Sequence, residues 1–391
     1  MKIYDFDKET DRRGSGAFKT DALKKIYGRE DLIPLWVADM DFETPDFITE
    51  ALHKRMEHPV FGYTVMPEEY WPTVSKWIAE RHGWQTECEW MTFIPGIVKG
   101  IGMAINALLE KDDKVIIQPP VYHPFRLVPQ KNGREVVFNP LREMPDGHYE
   151  MDFENLETVC DDRCRMLILS NPHNPGGIVW PRETLEKLAS FCHNRGIIVI
   201  SDEIHCDMAL FGNKHIPFAS VSPEAAQCSI TFGAPSKTFN IAGIVSSYAI
   251  VPDPALRERF FKWIEASELG APHLFAPIAT MAAFSQGEDW RQQMLRYLEG
   301  NIEFIEDFCA REMPQIKPLR PQASFLVWLD CRSLNLSHEA LNDLFTNKAG
   351  LALNDGEMFN PGGEGFMRLN VGTQRSILNR AMQQLLRAVR T

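Results

Sequence analysis

Between residues 90 and 250 the chain alternates short apolar runs with amphipathic ones, and few folds accommodate that rhythm. The apolar runs are 90–94, 114–118, 135–138, 166–170, 197–201, 229–232 and 246–251. Each is too short to be a helix of normal length and is bounded by turn-forming residues, so each reads as a buried strand. The stretches between them at 97–110, 123–131, 182–195 and 254–268 carry helical spacing. In the third, Leu185, Leu188 and Phe191 share a face, and Gly196 supplies the stop. Strands that alternate with helices predict a mostly parallel seven-stranded sheet covered on both faces, the α/β class.

The flanks read differently. Residues 1–45 are irregular. Helices are expected at 46–58, where Phe47, Ile48, Ala51, Leu52 and Met56 fall on one side, and at 69–82. From about 285 a long helix (290–311) precedes strands near 323–330 and 365–371 and helices at 337–346 and 374–390. The expected division is an N-terminal segment 1–45, a large domain 46–285 and a smaller α+β domain 286–391. A chain of 391 residues is long enough for two cores.

Bulk chemistry narrows the class of partner. The net charge of −12 argues against nucleic acid, whose phosphates need a basic face. No apolar run approaches the ~20 residues of a membrane span, and charges interrupt the first nine residues, which fits no secretory signal. The eight cysteines are scattered without a CxxC pair. Cys160 and Cys164 are spaced to lie one turn apart on a helix, yet no second pair completes a zinc site. Reduced thiols in a cytoplasmic, metal-free protein are expected.

In a parallel sheet, functional groups collect beyond the carboxyl ends of the strands, so the residues that follow each run matter most. The first run ends in Pro95-Gly96-Ile97-Val98, a glycine turn into a helix where backbone N–H groups can cradle a phosphate. The next ends in Gln118-Pro119-Pro120-Val121-Tyr122, and Tyr122 can stack on a planar ring. Asn171-Pro172-His173-Asn174-Pro175-Gly176-Gly177 is rigid turn chemistry, with Asn174 able to donate to a phenolate oxygen. Asp202, at the edge of a buried sheet, needs a cationic partner, and a pyridinium N–H would serve. His205, three residues on, can hydrogen-bond the O3′ of such a ring. Lys237, in Ala234-Pro235-Ser236-Lys237-Thr238-Phe239-Asn240, follows the run 229–232, a suitable place for a Schiff-base lysine. Arg368 sits inside the strand-like 365–371 with a planar fork suited to a carboxylate.

Together these residues resemble the fold-type I pyridoxal-phosphate enzymes of the aspartate aminotransferase superfamily, from about residue 35 to 372. Trp36-Val37-Ala38-Asp39-Met40-Asp41-Phe42, Phe61-Gly62-Tyr63, Asp11-Arg12-Arg13-Gly14 and His205 are similar to the MalY/PatB branch of cystathionine β-lyases. The resemblance implies the fold-type I transferase architecture, pyridoxal 5′-phosphate as cofactor and a homodimer with shared active sites. It implies that Lys237 carries the Schiff base and moves the proton, that Asp202 pairs with the ring nitrogen, that Asn174 bonds O3′ and that Tyr122 stacks. Gly96, Ile97, Val98 and Ser236 would hold the phosphate, with Tyr63 reaching it from the neighbouring subunit. Arg368 would hold the substrate carboxylate, and Trp36, Asp39 and Tyr63 would line the substrate pocket. Two positions depart from the aminotransferase pattern: Val245 stands where many carry a phosphate-binding Arg, and Ala234 where many carry Ser.

The expected activity is β-elimination from S-substituted L-cysteines, giving pyruvate, ammonia and a thiol. An aminotransferase with the same core residues is the alternative. A non-catalytic regulator on the same fold is disfavoured by the intact Lys237–Asp202 set and by the lack of a basic DNA-binding extension.

Overall fold

The computed structural model describes residues 2–390. Seven strands form the principal sheet, crossed in the order Met91–Ile94, Ser247–Ile250, Ser229–Gly233, Ile198–Asp202, Cys164–Ser170, Lys114–Ile117 and Glu135–Phe138. Ser247–Ile250 runs antiparallel to both of its neighbours. The remaining pairs are parallel. This is the mostly parallel α/β sheet expected of the alternating runs.

Burial on both faces explains why the strands read as continuous apolar runs rather than as alternating ones. Along Cys164–Ser170, Met166 and Ile168 join a cluster with Ile101, Phe125 and Phe260. Leu167 and Leu169 point the other way, into a cluster with Leu185, Leu188 and Trp328. The period of two along one strand thus feeds two cores.

Register then determines what meets at the carboxyl edge. Ser170 pairs with Asp202, and Asp202 with Phe232. Asn171 N donates to Asp202 O at 2.9 Å, and Glu203 N to Phe232 O at 2.9 Å. The turn after Cys164–Ser170, the end of Ile198–Asp202 and the segment after Ser229–Gly233 therefore lie side by side. Helix Ile97–Leu108 starts at the same edge, its first turn entered through Gly96 at φ 111°.

A second, antiparallel sheet is built from Lys317–Leu319, Leu326–Asp330, Phe366–Asn370 and Asn354–Asp355. Helices Glu288–Glu312 and Arg375–Arg390 contribute Met294, Leu298, Ile302, Leu378 and Leu385 to the core beside it. The N-terminal strand Ile33–Pro34 pairs in parallel with Leu351–Ala352, which ties the start of the chain to this region.

Three local expectations change. Helix Phe275–Gln286 was invisible to a periodicity argument, because it is apolar on most of its sides and buries Ala276, Ala279, Thr280, Ala283 and Phe284. The helix expected at 337–346 is α-helical only over His338–Asp343 and widens into a π-turn at Leu344–Lys348. Cys160 and Cys164 do not share a helix: Cys160 caps the C-terminus of Phe153–Val159, and Cys164 opens a strand. No helix among the described residues is long and apolar enough to cross a membrane.

Candidate active site

A cavity of about 260 Å³ opens at the carboxyl edge of the principal sheet. The walls are built from the residues that follow the strand ends. Gly96, Ile97 and Val98 form one side, Tyr122 and Asn174 a second, and Asp202 and His205 a third; Ser236 and Lys237 close it.

The phosphate-like end is built from backbone. Gly96 adopts φ 111°, a conformation L side chains rarely take, and no atom lies within 4 Å of where its Cβ would stand. The N–H groups of the first helical turn have no intrahelical partners and face an anion-binding direction. Ser246 Oγ is buried and has no hydrogen-bond partner among the described residues, and Ser246 lines the same cavity. Lys99 lines it too. Neither was singled out from sequence. Ser246 directly follows Val245, the position where many aminotransferases carry a phosphate-binding Arg, so the departure at Val245 lies one residue from a polar group of the cavity.

The opposite end is electrostatic. Asp202 closes its strand, with Ile204 N donating to Oδ1 at 3.1 Å. Burial pushes its carboxyl up to about 7; Lys237 pulls the other way but less strongly. A carboxyl in this state is poised for a cationic N–H partner. His205 Nδ1 is buried and also lacks a partner among the described residues. Burial, reinforced by Lys237 and Arg368, drops this imidazole to about 3, so it is neutral at physiological pH. Tyr122 presents a ring set edge-on to His123 (5.2 Å) and Phe125 (6.1 Å), and burial raises its phenol.

Lys237 is partly buried, and its Nζ donates to Ala38 O. Burial lowers its ammonium to about 8, against the opposing pull of Asp39. The lysine therefore holds a substantial neutral fraction near physiological pH, the state a nucleophile or base requires.

Arg368 does not line the cavity itself; it reaches Asn174 at the cavity wall from the antiparallel sheet. Its NH1 donates to Asn174 Oδ1 and its NH2 to Trp36 O, both at 3.1 Å; Asn354 Oδ1 also accepts from NH2. Its Nε is buried without a partner among the described residues, and burial lowers the guanidinium to about 10. A buried cation with no carboxylate against it is costly unless an anionic ligand supplies one.

Three expected residues lie elsewhere. Asp39 points away from this cavity into a neighbouring one of about 270 Å³, where Arg12 grips it through two bonds of 2.9 and 2.8 Å. Trp36 buries its indole against Tyr27 and Phe18 and donates from Nε1 to Lys19 O at 2.9 Å; only its carbonyl faces Arg368. Tyr63 is fully exposed in the single chain and touches no part of the cavity.

The chain belongs to the aminotransferase class I and II family, which matches residues 30–385. It is 43% identical to cystathionine beta-lyase PatB of Bacillus subtilis over 98% of this chain and 99% of that protein. It is 32% identical to protein MalY of Escherichia coli over 99% of both. Among solved structures, the PLP-bound C-S lyase of Staphylococcus hominis superposes with a TM-score of 0.93 at 33% identity, covering 99% of this chain and 98% of that one.

Proposed function

We propose that this protein is a pyridoxal-phosphate-dependent carbon–sulfur lyase that acts on S-substituted L-cysteines such as L-cystathionine. The placement of Lys237 and Asp202 in one cavity, a partly buried amine lowered to about 8 beside a buried carboxyl raised to about 7, carries the cofactor reading that the aminotransferase alternative shares; the choice of lyase over amino transfer rests on the 43% identity to cystathionine beta-lyase PatB along the full chain. The names of the relatives with matching full-length sequences point the same way.

The residues fit the cofactor on four counts. Asp202 lacks the cation that a protonated ring nitrogen would supply. His205 Nδ1 and Ser246 Oγ are buried polar atoms without partners among the described residues. The space at Gly96 is open where a phosphate would approach backbone N–H groups. Tyr122 offers a ring face at the cavity wall. Gly96, Ile97, Val98, Ser236 and Ser246 would hold the phosphate, Tyr122, Asn174 and His205 the ring, and Lys237 the aldehyde carbon. Bound, the cofactor supplies an electron sink for the pair left behind when Cα loses its proton.

The chain's own groups do the rest. Arg368 binds the amino acid's carboxylate and thereby orients Cα. Neutral Lys237 takes the Cα proton, which its lowered pKa permits. Asp202 keeps a proton at the ring nitrogen. Asn174, held by Arg368 through Oδ1, links carboxylate binding to the ring position. The sulfur departs from Cβ as a thiolate, and water hydrolyses the remaining 2-aminoacrylate, as its imine, to pyruvate and ammonia.

The working form is a homodimer. Val60, Phe61, Tyr63 and Val65 stand exposed in a stretch without regular structure, with Phe61 edge-on to Phe275. An apolar strap of this kind suits coverage by a second copy, whose cavity Tyr63 would then reach.

The cofactor-loaded protein incubated with L-cystathionine and no 2-oxo acid should release pyruvate. Transfer of the amino group to an added 2-oxo acid without any pyruvate would favour the aminotransferase alternative.

A further inference from the structure

Asn370 ends the strand Phe366–Asn370, two residues beyond Arg368, and is buried outside the cavity. Its Nδ2 donates to Val37 O at 2.6 Å and to Asp39 O at 2.7 Å, while its Oδ1 accepts from Gly372 N at 2.7 Å. Between those two carbonyls lies Ala38 O, the acceptor of Lys237 Nζ.

The arrangement extends in both directions. Trp36 O accepts from Arg368 (3.1 Å), Met40 O from Asn240 (2.9 Å) and Arg12 (3.2 Å), Asp41 O from Gln374 (3.1 Å) and Phe42 O from Asn240 (2.7 Å). Seven consecutive carbonyls, from residue 36 to residue 42, are each taken by a side chain from a remote part of the chain. Backbone without regular structure commonly gives its carbonyls to water or to near neighbours. Here each peptide plane is held from outside, and the plane carrying Ala38 O is held on both flanks by one amide.

We propose that Asn370 is a positioning residue for Lys237: by pinning the carbonyls of Val37 and Asp39 it fixes the Ala38 carbonyl as the acceptor that takes the lysine's amino group whenever that group is not bonded to the cofactor. This rests on Lys237 being the proton carrier of the proposed reaction. A lysine side chain has four flexible methylene links, and an oriented acceptor confines its amine to few of the available rotamers. Arg12 and Lys19 also brace this stretch, but they carry charge toward Asp39 and so toward Lys237. Asn370 is neutral, so its removal alters position without altering charge.

The structure supplies its own control. Asn301 is equally buried and makes the same double donation, to Val371 O (2.9 Å) and Thr373 O (2.8 Å), without touching residues 36–42. The test is pH-dependent acylation of Lys237 in the full chain stripped of cofactor, read by peptide mass spectrometry, for Asn370→Ala, the milder Asn370→Ser and Asn301→Ala. Loss of a fixed acceptor disfavours the ammonium, so the Lys237 midpoint should fall by ~0.5–1 unit in both Asn370 variants and stay unchanged in Asn301→Ala. In the cofactor-loaded protein kcat should fall ~10-fold while KM changes less than ~3-fold. A midpoint unmoved in both Asn370 variants, or moved equally by Asn301→Ala, overturns the proposal. Should Asn370→Ala not fold, Asn370→Ser decides. Because the labelling needs no substrate, failure of the proposed lyase reaction would leave this readout intact, and the two failures stay distinguishable.

Discussion

At the scale of single residues, burial does most of the electrostatic work, and its consequences for stability can be read by sign. The Asp202 carboxyl titrates near 7 in the folded protein against an ordinary 3.8. Between those values the folded state holds the extra proton, so stability is fully present below about 3.8 and is lost as pH rises through 7. Lys237 works the other way: lowered to about 8 from 10.5, it leaves the extra proton on the unfolded chain, so stability returns as pH climbs through that window. Asp202→Asn keeps an acceptor for Ile204 N but cannot ionise. In cofactor-stripped protein it should therefore be more stable than the unaltered chain above pH 7, by roughly 1–3 kcal/mol, and equal to it near pH 4, as measured by urea unfolding. The same substitution should weaken cofactor binding. Arg368→Lys keeps the charge but loses the fork and its bonds to Asn174 and Trp36. Steady-state kinetics should show KM for the amino acid raised by ~10–100-fold, with a smaller change in kcat.

Among elements, the turn Asn171–Gly177 joins the two sheets. Gly177 adopts φ 65°, and a Cβ there would meet Pro321 Cβ at 2.4 Å and Pro321 Cα at 2.8 Å. Its carbonyl accepts from both Gln322 N and Ala323 N. Gly177→Ala combines a disfavoured conformation with a backbone clash, so a loss of ~2–4 kcal/mol is expected in urea unfolding. Because Asn174 lies in the same turn and holds Arg368, KM should rise as well. Elements of this sheet were legible beforehand because burial on both faces makes a strand a compact apolar word between turn residues, as with Ile198–Asp202. Helix Phe275–Gln286 was illegible for the related reason that burial on most sides erases the amphipathic period. The residues at strand ends, Gly96, Tyr122, Asn174, Asp202 and Lys237, were legible because the chain order of strands and the rule of carboxyl-end chemistry place them together. Asn370 and Ser246 were not, since their roles depend on a contact between segments hundreds of residues apart and on the depth of one hydroxyl, and neither leaves a local pattern.

At the scale of the whole molecule, labour is divided between two sheets and, in the proposed dimer, between two chains. The exposed Tyr63 and the partly buried Lys237 would serve one cavity from different subunits. Tyr63→Ala and Lys237→Ala proteins, each poorly active alone, should recover activity when refolded together, because one of the two cavities in a mixed dimer then has both residues intact. Differently tagged variants purified over both tags would isolate the mixed species, and no recovery in that mixed dimer would remove Tyr63 from the partner's site. Whether this cavity ends its reaction by expelling a thiolate is decided by a partition ratio. The cofactor-loaded protein is given L-cystathionine together with a 2-oxo acid, and pyruvate formed is counted against amino groups transferred. Pyruvate should be in large excess, with thiol in equal amount. A ratio in which amino transfer dominates and thiol is absent would contradict the lyase reading.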